Sequence, residues 1–275
     1  MKIEKLKAEI RRKKSFLCVG LDVDLEKIPS SFQNSPSALY DFSKAIIDAT
    51  ANYAVAYKPN IAFFETYGVA GMSALKAVID YLNQNYPEVF TIADAKRGDI
   101  GNTSTRYAKA YFETLGFDAI TVAPYMGRDS VEPFLAFKEN HTILLALTSN
   151  SGSNDFQRLE SEGKPLYQSV IETAKSWEGQ ERLMYVVGAT RAESLKHIRT
   201  LIPEAFLLVP GVGAQGGNLA EVARNGLNDS VGLLVNSSRA ILYASKEDDF
   251  AQAAAQVAEK VQNQMQQILI DNNLL

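Results

Sequence analysis

The chain has 275 residues, of which 46% are hydrophobic and 22% are charged, a composition typical of a folded globular protein rather than a disordered one. Its 28 Lys and Arg residues against 32 Asp and Glu residues give a formal net charge of -4, which offers no general attraction for nucleic acids or anionic membranes. The single cysteine, Cys18, excludes an intrachain disulfide and any multi-cysteine metal site, and two histidines, His141 and His197, are too few for a typical zinc centre.

The N-terminal segment is predicted to be a helix rather than a targeting signal. Ile3, Leu6 and Ile10 recur at helical spacing, and the charges within residues 1–14 leave no apolar core for a signal peptide. No uncharged stretch of about 18 residues lacks Pro and Gly, so no membrane span is expected. We therefore expect a cytoplasmic protein. The basic run at residues 11–14 is expected to be a solvated helix end, and contact with a polyanion is the alternative.

Short apolar runs rich in Val, Ile, Leu and Phe recur along the chain, and each is followed by a turn and a segment with helical spacing. The predicted strands cover residues 16–21, 54–58, 89–94, 119–122, 142–147, 183–187, 205–209 and 231–235. The predicted helices lie near residues 37–49, 68–84, 103–115, 129–138, 164–177, 191–200, 217–225 and 246–269. Apolar strands that alternate with helices are typical of a parallel sheet with both faces covered.

Eight strand and helix units in about 250 residues predict an α/β protein built as a single (β/α)8 barrel, or TIM barrel, with an extra N-terminal helix. An open doubly wound sheet is the alternative. Because no Gly/Ser linker, low-complexity tract or sequence repeat separates the units, we predict one domain over residues 1–275. The last helix is predicted to dock through an apolar stripe that consists of Phe250, Ala254, Val257, Val261, Met265 and Ile268.

Charged residues cluster where three predicted strands end, which is where barrels place their chemistry. These residues are Asp22 after the first strand, Lys58 in the second, and Asp94, Lys96 and Asp99 at the third. Side chains alternate along a strand, so Asp94 and Lys96 are expected to face the barrel interior together. Because buried charges are costly unless paired, such a network favours a functional role. For Asp22 alone, a structural role is equally open.

The glycine-rich segment after the seventh predicted strand predicts an anion site. Gly211 and Gly213 lie in residues 209–217, which open a helix, so backbone N–H groups could approach an anion. Arg239 follows the eighth strand and can offer a bidentate charge. Because the loops after strands seven and eight commonly hold a phosphate in barrels, the predicted ligand is a phosphorylated small molecule.

Other polar residues carry weaker predictions. The loop at residues 148–153 either hydrogen-bonds a heterocycle or forms a flexible turn. His141 precedes its predicted strand and His197 lies within a predicted helix, so neither is expected to be catalytic. Cys18 lies inside the first strand and is expected to be a small core residue rather than a nucleophile.

Several motifs resemble those of the orotidine 5'-phosphate decarboxylase family, in its longer bacterial form, the type 2 subfamily. The main motif runs from Asp94 to Thr103 and fits the family's Asp-x-Lys-x-x-Asp signature. Similar segments are found at residues 58–65, 121–127, 187–190 and 210–217. The resemblance extends from about residue 16 to residue 240 and covers nearly the whole predicted barrel.

The resemblance implies decarboxylation of orotidine 5'-phosphate to uridine 5'-phosphate in pyrimidine synthesis, without a metal or an organic cofactor. Lys96 would donate the proton to C6 of the pyrimidine, and Asp94 would lie beside the departing carboxylate. Lys58 and Asp99 would complete the array of alternating charges. The implied substrate contacts are a ribose hydroxyl for Asp22, the pyrimidine for Ser149, one of three serines in its loop, and the phosphate for Gln215 with Arg239.

The resemblance also implies a homodimer with shared active sites, in which Asp99 and Thr103 reach into the neighbouring subunit's site and contact the ribose. Three other functions stay open. A magnesium-dependent sugar-phosphate decarboxylase shares the signature, but Lys58 stands where a metal site would need a carboxylate. A Schiff-base aldolase needs an uncharged lysine, which the carboxylates around Lys96 oppose. A catalytically silent nucleotide-binding barrel would retain costly buried charges without using them.

Overall fold

In the computed structural model, which describes residues 2–33, 35–189, 192–212 and 217–275, eight of the ten strands overlap the predicted apolar runs. They are β1 (Leu17–Leu21), β2 (Ala54–Pro59), β3 (Phe90–Arg97), β4 (Ala119–Val122), β5 (His141–Leu147), β6 (Glu160–Ser161), β7 (Lys164–Pro165), β8 (Leu183–Val187), β9 (Leu207–Pro210) and β10 (Leu233–Ser237). Eight of them close into a barrel in the order β1-β10-β9-β8-β5-β4-β3-β2. The predicted (β/α)8 barrel is therefore confirmed, and β6 and β7 add a small antiparallel hairpin.

A helix precedes the first barrel strand, and helices follow each barrel strand along the chain. They are α1 (Lys2–Lys13), α2 (Ser30–Gln33), α3 (Ala38–Thr50), α4 (Ile61–Glu65), α5 (Gly68–Asn85), α6 (Gly101–Lys109), α7 (Arg128–Leu135), α8 (Ser153–Phe156), α9 (Leu166–Ala174), α10 (Ala192–Leu201), α11 (Leu219–Gly226), α12 (Arg239–Leu242) and α13 (Phe250–Asp271). A π-helical turn, Ala110–Thr114, continues α6, and a 3-10 turn, Gln180–Arg182, precedes β8. The extra N-terminal helix is α1, as predicted.

The barrel strands are buried, as is expected of parallel strands that are covered by a layer of helices. Every residue of β1 and β2 is buried, and their parallel register pairs Gly20 with Lys58. Cys18 lies in β1 with no exposed surface. Burial, opposed in part by the charge of Lys58, raises the pKa of the Cys18 thiol to about 12, so the thiol stays protonated at neutral pH. Cys18 is the core residue that the sequence predicted.

The chain divides into two compact units. One consists of the chain up to Ala95 together with Leu115–Phe117 and Asn236–Leu275, and the other consists of Lys96–Thr114 and Asp118–Val235. In the first unit, α13 packs against α3. In the second, β5 pairs with β4 and β8. One domain over residues 1–275 stays a prediction.

The buried stripe of α13 differs from the predicted one. Its members are Phe250, Ala254, Ala258, Gln262, Met265 and Leu269. The predicted members Val257, Val261 and Ile268 are half-buried. Gln262 is buried because its Nε2 donates hydrogen bonds to the carbonyl oxygens of Lys13, at 2.9 Å, and Lys14, at 3.3 Å. A polar residue that is buried by a distant partner cannot be found from hydrophobic periodicity.

The basic end of α1 is only partly a solvated face, so that expectation is wrong for Lys13. The Lys13 side chain is 3% exposed, its Nζ lies 3.4 Å from Glu9 Oε2, and it donates a hydrogen bond to the carbonyl oxygen of Ala54 at 2.8 Å. Burial lowers the pKa of Lys13 although the charge of Glu9 opposes this. Arg12 is exposed and pairs with Glu9 at 2.6 Å. Lys13 therefore joins α1 to the start of β2.

Candidate active site

A buried ion pair joins the carboxyl ends of β2 and β3. Lys58 Nζ donates a hydrogen bond to Asp94 Oδ2 at 2.7 Å, and the two side chains are 5% and 13% exposed. Burial by itself lowers the pKa of Lys58, but the charges of Asp94 and Asp22 outweigh it and raise the pKa. Lys58 is therefore an ammonium at neutral pH. The fold brings together three of the predicted site residues, Lys58, Asp94 and Asp22.

The loop after β1 holds Asp22 through a tyrosine that we did not predict. The Tyr243 hydroxyl donates a hydrogen bond to the carbonyl oxygen of Asp22 at 2.7 Å and accepts one from Asp24 N–H at 2.9 Å. Asp22 Oδ1 is buried and has no hydrogen-bond partner among the described residues. A buried acceptor without a partner costs about 1–3 kcal/mol, so Asp22 Oδ1 is suited to accept a hydrogen bond from a ligand hydroxyl.

β1 and β10 approach closely at Gly20. A Cβ atom on Gly20 would lie 1.8 Å from Ser238 Oγ and 3.1 Å from Asn236 Oδ1, so only glycine fits there. Asn236 is buried, and its Oδ1 lacks a hydrogen-bond partner within the part of the chain that the structure describes. Arg239 is the first residue of α12, two positions after the end of β10, and its side chain is exposed. The end of β10 thus presents an accessible guanidinium.

Lys96 follows Asp94 by two residues on β3 and has a strained backbone. Its φ is +47°, and of the described non-glycine residues with positive φ it alone lies in a barrel strand. This conformation costs an L-residue about 1–2 kcal/mol and is typical of functional sites. Lys96 N–H donates a hydrogen bond to Thr121 Oγ1 at 2.9 Å. The predicted alternation of Asp94 and Lys96 requires extended backbone, so the argument from alternation fails at Lys96, whose side chain is exposed.

Hydrogen bonds of the Ser104 hydroxyl group stabilise the loop after β3. Asp99 N–H donates to Ser104 Oγ at 3.0 Å, and Asp99 Oδ1 accepts a hydrogen bond from Ile100 N–H at 2.7 Å. Ser104 Oγ in turn donates to the carbonyl oxygen of Ser130 at 2.9 Å. Thr103 is exposed on α6. The first turn of α6 therefore presents Thr103 at the surface.

Ser149 is half-buried in the loop after β5. The preceding residue, Thr148, donates its N–H to Gln157 Oε1 at 2.8 Å, and Gln157 Nε2 donates to Thr148 Oγ1 at 2.9 Å. These two hydrogen bonds tie the start of the loop to the residue that follows α8. They favour an ordered binding loop over the flexible turn that the sequence left open.

The glycine-rich loop after β9 is closed at its base. Gly217 N–H donates a hydrogen bond to the carbonyl oxygen of Gly211 at 3.2 Å, and Val212 forms a parallel bridge with Gly217. Gly211 has φ +97°, a conformation that favours glycine. Gly213 and Gln215 lie outside the described residues.

The first turn of α11 is satisfied by its own cap. Asn218 Oδ1 accepts hydrogen bonds from Ala220 N–H at 2.8 Å and Glu221 N–H at 3.2 Å. These two amides are therefore not available to an anion. The start of α11 therefore gives no support to the predicted phosphate site.

The histidines lie away from the carboxyl ends of the barrel strands, as predicted. His141 begins β5, and His197 Nε2 lies 3.1 Å from Gln168 Oε1 between α10 and α9. Across the described residues, no group of three or more His, Cys, Asp or Glu side chains could hold a metal ion. In the same part of the chain, no helix combines the length and the apolar character needed to cross a bilayer.

The site residues combine buried, paired charge with exposed hydrogen-bonding groups. The Lys58 and Asp94 charges are fixed before a ligand arrives, because each holds the other in place at 2.7 Å. Charges that are oriented in advance can stabilise charge that develops during a reaction without costly reorganisation. Such an arrangement suits a reaction that forms or removes negative charge.

Comparisons with known proteins agree with this chemistry. The model of the orotidine 5'-phosphate decarboxylase / HUMPS family matches residues 15–256. The orotidine 5'-phosphate decarboxylase of Flavobacterium johnsoniae is 60% identical over 269 residues, which cover 98% of each chain. The enzyme of the same name from Christiangramia forsetii is 62% identical over 265 residues, which cover 96% of this chain and 97% of the relative. The structure of Leishmania donovani OMP decarboxylase superposes with a TM-score of 0.82 at 36% identity and covers 96% of this chain and 98% of that chain.

Proposed function

This chain belongs to the orotidine 5'-phosphate decarboxylase / HUMPS family, and we propose how its charged strand ends carry out the reaction for which its relatives are named. The relatives match over nearly their full length, so the reaction is conversion of orotidine 5'-phosphate to uridine 5'-phosphate and CO2, a step of pyrimidine synthesis. They do not favour a sugar-phosphate decarboxylase or an aldolase. The observation that carries the proposed site is the buried hydrogen bond between Lys58 and Asp94.

The chemical problem is charge at C6 of the pyrimidine. When the bond from C6 to the carboxylate breaks, CO2 leaves and the electron pair stays on C6, so the enzyme must stabilise a carbanion-like transition state. Lys96 supplies an ammonium toward that pair and then transfers a proton from Nζ to C6, which completes uridine 5'-phosphate. The strained backbone of Lys96 supports this role, since strain is retained where function requires it.

Asp94 and Lys58 prepare the site for loss of CO2. In the proposal, the Asp94 carboxylate lies beside the substrate carboxylate and favours its departure. Lys58 keeps Asp94 ionised and oriented through the hydrogen bond of 2.7 Å. Asp99 completes the alternating array of Lys and Asp residues.

Other residues bind the parts of the substrate that do not react. Asp22 accepts a hydrogen bond from a ribose hydroxyl, which its buried and unpartnered Oδ1 supports. Ser149 contacts the pyrimidine. The phosphate is held by Arg239, whose exposed side chain supports the role, together with Gly211, Gly213 and Gln215. Binding energy from the phosphate can be used to stabilise the transition state at C6.

The proposed mechanism uses neither a metal ion nor an organic cofactor. An ammonium group supplies both the positive charge and the proton that the reaction needs, so no other electrophile is required. Lys58 also occupies the strand end where a magnesium site of the sugar-phosphate type would need a carboxylate. Turnover in the presence of a metal chelator is the expected result.

A homodimer with shared active sites is part of the proposal. Thr103 is exposed, and Ile100 beside Asp99 exposes most of its apolar side chain. Tyr125 and Met126, in the loop after β4, are also exposed. Apolar side chains on a surface loop favour contact with another protein, and the proposed partner is a second copy into whose site Asp99 and Thr103 reach.

Two coarser expectations belong to the same proposal. One domain over residues 1–275 is supported by a family match that runs from residue 15 to residue 256. A cytoplasmic location is supported by the bacterial relatives, whose name, orotidine 5'-phosphate decarboxylase, specifies a nucleotide substrate. Because a phosphorylated substrate does not cross a membrane unaided, the enzyme acts in the compartment where its substrate is made.

The decisive experiment follows the ultraviolet absorbance of orotidine 5'-phosphate after addition of the wild-type protein, with and without a chelator. Chelator-resistant conversion is expected for the wild type and for Lys138→Ala, a control at an exposed lysine outside the site. Lys96→Ala should fold and lose turnover, and Arg239→Ala should mainly raise KM. Substantial turnover by Lys96→Ala would contradict its role as proton donor.

Subunit mixing tests the shared site. Inactive Lys96→Ala subunits mixed with inactive Asp99→Ala subunits should regain activity, because a mixed dimer contains one site with neither substitution. A different affinity tag on each variant, with purification over both tags in turn, isolates the mixed dimers for the assay. A confirmed mixed dimer without recovered activity would contradict a site built by two subunits.

A further inference from the structure

The strained backbone conformation of Lys96 must be maintained by contacts with neighbouring residues, and Arg97, the next residue in the chain, makes such contacts. A non-glycine residue at φ +47° returns to extended backbone unless the surrounding structure prevents it. Lys96 N–H donates a hydrogen bond to Thr121 Oγ1, which fixes the amide group of Lys96. The carbonyl side of Lys96 is then fixed by the residues that follow it in the chain.

Arg97 is held by two aromatic rings. Its guanidinium Cζ lies 5.5 Å from the centre of the Tyr107 ring and 5.7 Å from that of Tyr111. Both distances lie within the range of attraction between a cation and an aromatic face. Tyr107 belongs to α6 and Tyr111 to the π-helical turn that continues it, so the rings are four residues apart on one helical surface.

The backbone after Lys96 is anchored as well. Ala123 N–H donates a hydrogen bond to the carbonyl oxygen of Arg97 at 2.8 Å. A Cβ atom on Gly98 would lie 2.8 Å from the carbonyl oxygen of Ala123, so the chain approaches the segment after β4 as closely as glycine allows. Lys96 is thus followed by a residue with a fixed main chain and a fixed side chain.

We propose that Arg97, stacked on Tyr107 and Tyr111, is a positioning residue that holds the backbone of Lys96 in the conformation from which its ammonium acts. This inference rests on the proposed role of Lys96 as proton donor. Arginine suits the position because its planar, weakly hydrated guanidinium can lie on an aromatic face, whereas a lysine ammonium is a strongly hydrated point charge. Arg97 itself does not contact substrate in this proposal.

Tyr107 offers a matched pair of variants. Tyr107→Phe keeps the ring face, and Tyr107→Leu removes it; Tyr107 is half-buried, so both changes are made near the surface. Arg97→Met removes the charge and keeps an unbranched side chain, and the double variant Arg97→Met/Tyr107→Leu tests coupling. For each variant, kcat and KM for orotidine 5'-phosphate, the Kd for uridine 5'-phosphate and the midpoint of thermal unfolding are measured beside the wild type.

If Arg97 positions Lys96, kcat changes while nucleotide binding does not. Tyr107→Phe should keep kcat within about twofold of the wild type. Tyr107→Leu and Arg97→Met should each lower kcat by at least about tenfold, while their Kd for uridine 5'-phosphate stays within about twofold of the wild-type value. The double variant should be no slower than the slower single variant, because both remove one interaction. Should Tyr107→Leu fail to fold, Arg97→Lys takes its place and should lower kcat by at least about threefold.

Several results would overturn the inference. Equal kcat values for Tyr107→Leu and Tyr107→Phe, or losses that multiply in the double variant, would show that the stack does not act on Lys96. A lower unfolding midpoint with unchanged kcat would assign the stack to stability alone. An inactive wild type would overturn the proposed function and this inference together, whereas an active wild type with unaffected variants overturns the inference alone.

Discussion

Removal of the Asp94 charge tests the central ion pair. Asp94→Asn leaves the ammonium of Lys58 buried, 5% exposed, without the carboxylate that lies 2.7 Å away. Breaking a buried ion pair by removing one partner costs about 3–5 kcal/mol. Asp22 also raises the pKa of Lys58, so part of the stabilisation persists and we expect a loss near the lower limit, about 3 kcal/mol.

The assay is urea unfolding at neutral pH, with the double variant Lys58→Met/Asp94→Leu as the control. A loss of about 3 kcal/mol is readily measured in a domain whose free energy of unfolding is typically about 5–15 kcal/mol. The double variant should recover most of the loss, because apolar residues often replace a buried ion pair at little cost. Both variants should lack decarboxylase activity, since the proposed mechanism needs both charges.

The pH dependence of Asp94→Asn has a defined sign. Without Asp94, burial, the largest single influence on Lys58, is opposed mainly by the charge of Asp22, and we expect the pKa of Lys58 in the folded state to fall below the usual 10.5. The unfolded state then binds more protons, so the free energy of unfolding of the variant rises with pH between the two pKa values. The reasoning is wrong if Asp94→Asn unfolds within about 1 kcal/mol of the wild type, or if the double variant retains full turnover.

Three further predictions concern packing and charge. Gly20→Ala should cost about 1–3 kcal/mol in urea unfolding because its Cβ would lie 1.8 Å from Ser238 Oγ, and the added substitution Ser238→Gly should restore stability; no rescue would contradict the steric explanation. Arg199→Met should cost about 1–3 kcal/mol, since it removes the hydrogen bond that the buried carbonyl oxygen of Gly226 accepts, whereas the carbonyl oxygen of Gly232 keeps the N–H of Leu207; a loss confined to activity would be inconsistent with this structural role. Burial by itself raises the pKa of Glu9, but the hydrogen bond from Arg12 and nearby positive charges outweigh it and lower the pKa. The charged form of Glu9 therefore stabilises the folded state at pH values above the usual pKa of 4.5, and this stabilisation is lost as the pH falls through the lower pKa of the folded state. Acid unfolding of Glu9→Gln should therefore depend less steeply on pH than that of the wild type, and equal slopes would exclude the effect.

The barrel, and the positions of the charged residues of the candidate site along its strands, could be predicted from local sequence. The bounds of β4 and β8 match their predicted apolar runs, because a buried parallel strand needs a continuous apolar segment whatever its neighbours are. Lys58 and Asp94 could be placed at strand ends for the same reason. The Asp-x-Lys-x-x-Asp signature then indicated the family, which the relatives confirm.

The features that the sequence could not determine depend on partners that are distant along the chain. Tyr243 forms a hydrogen bond with the loop of Asp22, more than two hundred residues away in the sequence. Gln262 is buried because it donates a hydrogen bond to the carbonyl oxygen of Lys13. The backbone conformation of Lys96 is likewise maintained by Thr121 on another strand. Hydrophobic periodicity reports only whether a position faces a core, whereas the pairing of polar groups and the strain that a site can retain arise only when the tertiary structure closes around them.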